Sequence, residues 1–275
     1  MRKSNIYEYT KFEYIIEKQR IKFKSTNRHI CQFTVHKSQF TEMQLTYIYH
    51  SCFVAETDSA IVVFDYWRDT SDCRLARLLN SCDKQVYFVV SHFHEDHYNP
   101  DIVSWKCGGS APRLLLSYDT VKRHHINKAL PCAILHPGDT YADEHLSLKA
   151  YRSTDVGVST FVAFPDGTTL FHAGDLNNWF FPIDDNEHLK VTPQEMEGMF
   201  ISIVRNIYAD HKHIDHVMFP VDCRLGREAV RGPVQWLSTI DTQYFHPMHF
   251  WDDAEALAKN ILSLKSLFPE VTINY

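Results

Sequence analysis

Residues 91–97 read Ser-His-Phe-His-Glu-Asp-His. His92 and His94 are two apart, His97 follows three later, and Asp96 stands beside it. Three imidazoles and a carboxylate within 92–97 exceed what a core or a solvated face needs, because each is costly to bury unpaired and charged imidazoles repel one another. A divalent cation removes both objections. The chemistry on offer is a metal centre, and the competing reading is a surface loop rich in histidine.

The elements around this loop explain how it could be held. It follows the apolar, β-rich run 86–90, which suits a strand buried on both faces and sets the histidines at its carboxyl end, where functional groups of α/β folds gather. Asn99-Pro100-Asp101 then supplies an N-cap, a proline at the first helical position and an acid in the first turn, so a helix is expected just past the loop.

Upstream, 45–54 and 60–66 read as two strands of an opening hairpin, and Ser71-Asp72 can cap a helix running to 79. Downstream, 113–117 reads as a strand and 118–125 as a helix. His124 and His125, adjacent on that helix, do not face one another, which favours solvent or capping roles over a metal pair. Strands are expected over 145–151 and 158–164, the latter pairing with 168–173 across Pro165-Asp166-Gly167. Thr192-Pro-Gln-Glu195 is a capping box that opens a helix to about 208, which His211, His213 and His216 would end. A strand and glycine-bearing loop cover 217–226. Asp252-Asp253 cap a last amphipathic helix with apolar residues at Leu257, Ala258, Ile261, Leu264 and Leu267, and 271–275 reads as an edge strand.

Composition narrows the class. The chain has 275 residues, 44% hydrophobic and 23% charged, which suits one large α/β domain or a domain with a short extension. Seven scattered cysteines without a Cys-x-x-Cys pair argue against a disulfide framework or a zinc ribbon. Residues 1–42 hold nine Lys/Arg against four Glu, and 43–275 hold 19 against 30, a net −11. So acidic a body speaks against nucleic acid as a partner. No long uncharged apolar stretch and no apolar signal core appear, so a cytoplasmic protein without a membrane partner is expected. The first 42 residues show no clean period; a helix over 7–17 and a strand over 30–35 are both open, and the segment reads as an extension of unassigned role.

The spacing His-x-His-x-Asp-His at 92–97 resembles the signature of the metallo-β-lactamase superfamily of metal-dependent hydrolases. Later blocks resemble it in order. Asp175 follows Gly174 at the end of an apolar run, where the superfamily places an aspartate that bridges two metals. His50-Ser-Cys-Phe53 and Pro247-Met-His249 are similar to the opening and closing segments of the branch that includes ascorbate-6-phosphate lactonase, which makes His249 the last ligand. One block departs: where a histidine is usual, the chain has Ser153-Thr-Asp-Val-Gly157, and Asp155 either replaces the imidazole as a ligand or only orients one. His50 either points into the site or is a satisfied structural histidine.

The resemblance covers 43–275 and implies an αββα sandwich of two mixed β-sheets flanked by helices, an α/β (α+β) fold with the metals at one edge. It implies two divalent metal ions, zinc first, manganese or iron if oxygen ligands dominate. His92, His94 and Asp155 would hold one, Asp96, His97 and His249 the other, and Asp175 would bridge them. A hydroxide shared by the two ions would attack a small-molecule ester, lactone or phosphodiester, with Asp96 as the catalytic proton carrier. Asp222 and Arg224 are candidate substrate-binding residues, Asp222 holding either a metal ligand or the substrate and Arg224, with Arg227, meeting an anionic group. A cysteine usually stands at the bridging position of true β-lactamases of the zinc type, so antibiotic hydrolysis is not expected. The alternative is a scaffold of the same fold that binds a metal or metabolite without turnover. Either reading is compatible with a homo-oligomer.

Overall fold

The apolar runs Ala60–Phe64 (β3) and Gln85–Val90 (β4) pair in parallel in the computed structural model, which describes residues 43–127, 130, 132–181 and 191–275. Their side chains alternate in destination. Val62, Phe64, Tyr87 and Val89 join the main core with residues of a second sheet, while Ile61, Val63, Val86, Phe88 and Val90 pack with helix residues on the other face. A strand covered on both faces needs apolar side chains at every position, so its period of two reads as a continuous run.

The first sheet has the order β1-β2-β3-β4-β5-β6, completed by β1 (Gln44–Tyr49), β2 (Cys52–Glu56), β5 (Arg113–Ser117) and β6 (Cys132–Leu135). The second has the order β13-β12-β11-β10-β9-β8-β7. Its strands are β7 (Thr140–Ala142), β8 (Ser147–Arg152), β9 (Val158–Ala163), β10 (Thr169–His172), β11 (His213–Pro220), β12 (Asp241–Met248) and β13 (Thr272–Ile273). Both sheets are mixed, with antiparallel pairs at one side and parallel pairs at the other.

Helices α1 (Arg74–Asn80) and α2 (Tyr118–Arg123) bury Leu75, Leu79 and Val121 against the first sheet. Helices α3 (Pro193–Asp210), α4 (Arg231–Leu237) and α5 (Ala254–Leu267) pack Phe200, Trp236 and Ile261 into the main core. The result is two mixed sheets flanked by helices. The Asp166-Gly167 hairpin, the Thr192/Glu195 capping box and the Asp253 cap on α5 form as their sequences predict. The six described cysteines are free, and no helix of the described residues is long and apolar enough to cross a membrane.

Four expectations change. The run 45–54 is not one strand: the chain turns at His50-Ser51, with His50 in the left-handed region at φ 55, and β1 and β2 form a hairpin of their own. No glycine or proline marks that turn; it is tied from outside, by the amide of His249 donating to the carbonyl of His50. Helix α1 is capped not by Ser71 or Asp72 but by Asp69, whose carboxylate accepts from the amides of Leu75 and Ala76. Cys73, at φ 54, folds the helix start back over it. The helix expected after Asn99 is a single 3-10 turn, Pro100–Val103. Only His211 ends α3. His213 and His216 lie in β11, where pairing with Asp241 and Tyr244 of β12 outweighs any pull toward the helix end. The readings of 1–42 fall outside the described residues.

Candidate metal centre

Strands β10, β11 and β12 run parallel, and β9 is antiparallel to both its neighbours, so the loop after β10, the loop after β12 and the β8–β9 turn share one edge. The loop after β4 meets them there, since the amide of Val158 donates to the carbonyl of Ser91 at 2.9 Å. Two glycines permit the approach. A Cβ on Gly157 would lie 2.0 Å from the Ser91 carbonyl oxygen, and one on Gly174 would lie 2.6 Å from the Ser91 Cβ, while both residues have positive φ. The turns that carry Asp155 and Asp175 can therefore close on the histidine loop.

All seven predicted ligands converge. His92 Nε2 lies 3.0 Å from His94 Nδ1 and 3.5 Å from Asp175 Oδ2, and Asp155 Oδ2 lies 3.4 Å from His94 Nδ1. Asp175 turns its other oxygen to the second group: Oδ1 is 3.1 Å from His97 Nε2 and 3.3 Å from His249 Nε2. Asp96 Oδ2 completes that group, 3.6 Å from His249 Nε2 and 3.8 Å from His97 Nε2. A tetrahedral shell with bonds of about 2.1 Å spaces its donors roughly 3.4 Å apart. Both groups are spaced to that measure. His50 joins the second, its Nε2 donating to Asp96 Oδ2 at 3.2 Å.

The groups behind the ligands decide which ring nitrogen faces the centre. His97 Nδ1 donates to Asp65 Oδ2 at 2.7 Å, and His249 Nδ1 to Asp222 Oδ2 at 3.0 Å. Ser91 Oγ donates to Asp65 at 2.6 Å and can accept from His92 Nδ1 at 2.9 Å. Each imidazole so held presents Nε2 to the cluster, as a metal-binding histidine does. His97 Nε2, His249 Nε2 and Asp175 Oδ1 are buried and have no hydrogen-bond partner. Buried polar atoms are rarely left so. A cation between them would satisfy all three, and the donor set suits divalent ions.

The charges agree. Burial works against the His249 imidazolium, yet the Asp175, Asp222 and Asp96 carboxylates outweigh it and raise its pKa to about 9. His97 is likewise held protonated against burial by Asp175 and Asp65. Burial and the neighbouring His97 cation lower His92 to about 3. Burial and the charge of Asp175 raise Asp155. Without a metal, protons on His97 and His249 thus balance the carboxylates.

A pH dependence follows. The folded pKa of His249 lies above its ordinary value, so its charge stabilises the metal-free fold fully below pH ~6.5, and that contribution is lost as pH rises through about 9. The melting temperature of metal-free protein should fall across this window while that of metal-loaded protein holds level. Metal uptake at about pH 7.5 should release protons, as read by calorimetry in buffers of differing ionisation enthalpy. Uptake without proton release would contradict this arrangement.

The family described as "Beta-lactamase superfamily domain" matches residues 44–187, more than half of the chain. The chain belongs to that superfamily. None of the curated proteins compared matches it. Among solved structures, it is similar to Igni18, a metallo hydrolase of the archaeon Ignicoccus hospitalis, at 15% identity and a TM-score of 0.56, covering 84% of this chain and 94% of that one. It is similar to the metallo-beta-lactamase fold protein YhfI of Bacillus subtilis at 10% identity and a TM-score of 0.51, covering 82% and 89%. CmlA, a diiron beta-hydroxylase of Streptomyces venezuelae, matches at 10% identity and a TM-score of 0.56, with 84% of this chain spanning 52% of CmlA. At such identities the likeness is one of superfamily fold.

Of the two roles open for Asp222, the structure gives the first: it is fully buried away from a substrate, and its carboxylate holds His249 by accepting from Nδ1 and also accepts from the Arg224 guanidinium. Arg224 is about half exposed at the rim. Trp179 also lines the site, its ring 5.7 Å from that of His249. Asp65 escaped the sequence reading. Its one signal is the pattern that marks Asp175, an acid ending an apolar run.

Proposed function

We propose that the chain is a metal-dependent hydrolase of a small-molecule ester, lactone or phosphodiester, working with two divalent cations. The observation that carries the reading is the carboxylate of Asp175, whose two oxygens face two separate donor groups while three inward atoms lack any partner. His92, His94 and Asp155 would hold one cation and Asp96, His97 and His249 the other, with Asp175 shared. Paired cations lower the pKa of a water between them and polarise the oxygen of the scissile group. Asp96, a ligand through Oδ2, would use its other carboxylate oxygen to take a proton from the attacking water and return it to the leaving group, and the neutral His50 holds Oδ2 by its Nε2–H. Burial lowers the pKa of His50 despite Asp96, which keeps it a neutral donor.

The His-Ser-x-Phe opening and Pro-Met-His close favour the lactonase-like branch and small metabolites within it. The test is a panel of lactones, aryl esters, thioesters and phosphodiesters offered to protein loaded with zinc, manganese or iron. Turnover that chelation removes and metal restores supports the reading; a fully loaded chain inert across the panel contradicts it. A second reading is oxidative chemistry at a di-iron centre, favoured by three carboxylates in the ligand set and by the fold shared with a diiron hydroxylase. A visible iron chromophore with oxygen consumption and no hydrolysis would select it.

A further inference from the structure

Two guanidinium groups stand at the rim of the metal centre on an otherwise acidic body, and both are stacked on aromatic rings. Arg224 lies with Cζ 4.7 Å from the centre of the Trp251 ring, which in turn is 4.6 Å from that of His50 and 5.5 Å from that of His249. Its Nε and one Nη bond the buried Asp222, on the same carboxylate oxygen that accepts from His249 Nδ1. The remaining Nη1 has no partner among the described residues. Arg68, half exposed, lies 3.8 Å over the Tyr49 ring and 4.8 Å over Trp67, with a loose 3.8 Å approach to Asp252. The turn at 251–252 thus meets both arginines, Arg224 through Trp251 and Arg68 through Asp252.

That turn is built to hold its shape. His249, Trp251 and Asp252 all have positive φ without being glycine, and the Tyr49 hydroxyl donates to Asp252 Oδ2 at 2.6 Å. Strained non-glycine backbone persists only where its surroundings hold it, and it concentrates at functional sites. A guanidinium fixed on an aromatic face keeps a planar fork of donors, which matches a carboxylate or phosphate better than a mobile lysine would.

We infer that Arg68 and Arg224 form an anion clamp beside the metal centre, so that the preferred substrate carries a carboxylate or phosphate group on the side away from the scissile bond. This rests on the hydrolase reading, and it narrows that reading to anionic small molecules. The aromatic rim of Trp67 and Trp251 would cover the intervening apolar atoms.

The test is binding to metal-loaded protein of two ligands that share one carboxylate for the metals and differ only in the tail, glutarate and its monomethyl ester. 4-Phosphonobutyrate serves as the phosphate arm. Parent protein should bind glutarate or the phosphonate roughly tenfold more tightly than the ester, and whichever is tighter names the anion. Arg68→Gln, at an exposed position, should bring that ratio towards about one while leaving the affinity for the ester unchanged, whereas Arg224→Gln, which also removes the partner of Asp222, should lower the ratio together with the affinity for the ester. A preference that persists in a chain without hydrolytic turnover still supports the clamp and faults only the hydrolase reading. Equal affinities in the parent, binding of none of the three, or a ratio unmoved in Arg68→Gln, would overturn the clamp.

Discussion

Asp175→Ala should reduce kcat/KM for any hydrolysed substrate by at least about a thousandfold, the scale on which electrostatic groups at a reacting centre act. The reason is geometric. Asp175 is the one carboxylate whose two oxygens face both donor groups, Oδ2 toward His92 and Oδ1 toward His97 and His249. Its loss leaves two partial sites of three ligands with nothing between them. It also removes the largest favourable charge from His97 and His249, so both pKa values should fall in metal-free protein. Retained turnover in a variant that still binds metal would show that the two groups do not act as one centre.

Asp65→Asn should act through stability and metal affinity together. Asp65 is buried, sits at φ 44, and its carboxylate accepts from the Ser91 amide, the Ser91 hydroxyl and His97 Nδ1. Asparagine keeps the size, but its NH2 must face at least one of these donors, and the His97 cation loses a buried counter-charge. The expected cost is ~3–5 kcal/mol of folding stability, with a 10- to 100-fold loss of metal affinity because His92 and His97 lose their fixed tautomers. Denaturant unfolding and a metal-binding titration measure the two effects. A variant within ~1 kcal/mol of the parent would mean that Ser91 alone holds the loop.

Much of the site was legible because its ligands follow strands whose composition marks them. His92 to His97 follow a run apolar at nearly every position, and Asp175 and His249 end strands of the same kind. Asp65 ends one too, but its partners lie at Ser91 and His97, and a single carboxylate after a strand does not say what comes to meet it. The β1–β2 turn at His50 was hidden for a related reason: a left-handed histidine held by a bond from the His249 amide leaves no local trace. Asp222 was found by position, at the edge that carries the histidine loop, with its role left between a ligand and a substrate; only the fold shows its carboxylate turned back onto His249. The sandwich was implied by the resemblance that the histidine loop carries, and the alternation of β8, the Asp166-Gly167 turn and the capping at Thr192 and Asp253 agree with it because local preference and tertiary packing coincide there.

Metal content per chain, measured by elemental analysis on protein purified without chelator, tests the central claim most directly, with Asp155→Ala beside the parent. Two equivalents are expected in the parent and a fall towards one in the variant, because Asp155 Oδ2 stands at the vertex beside His92 and His94. One equivalent or none in the parent, or two retained without Asp155, would contradict a two-metal centre with an aspartate at that vertex.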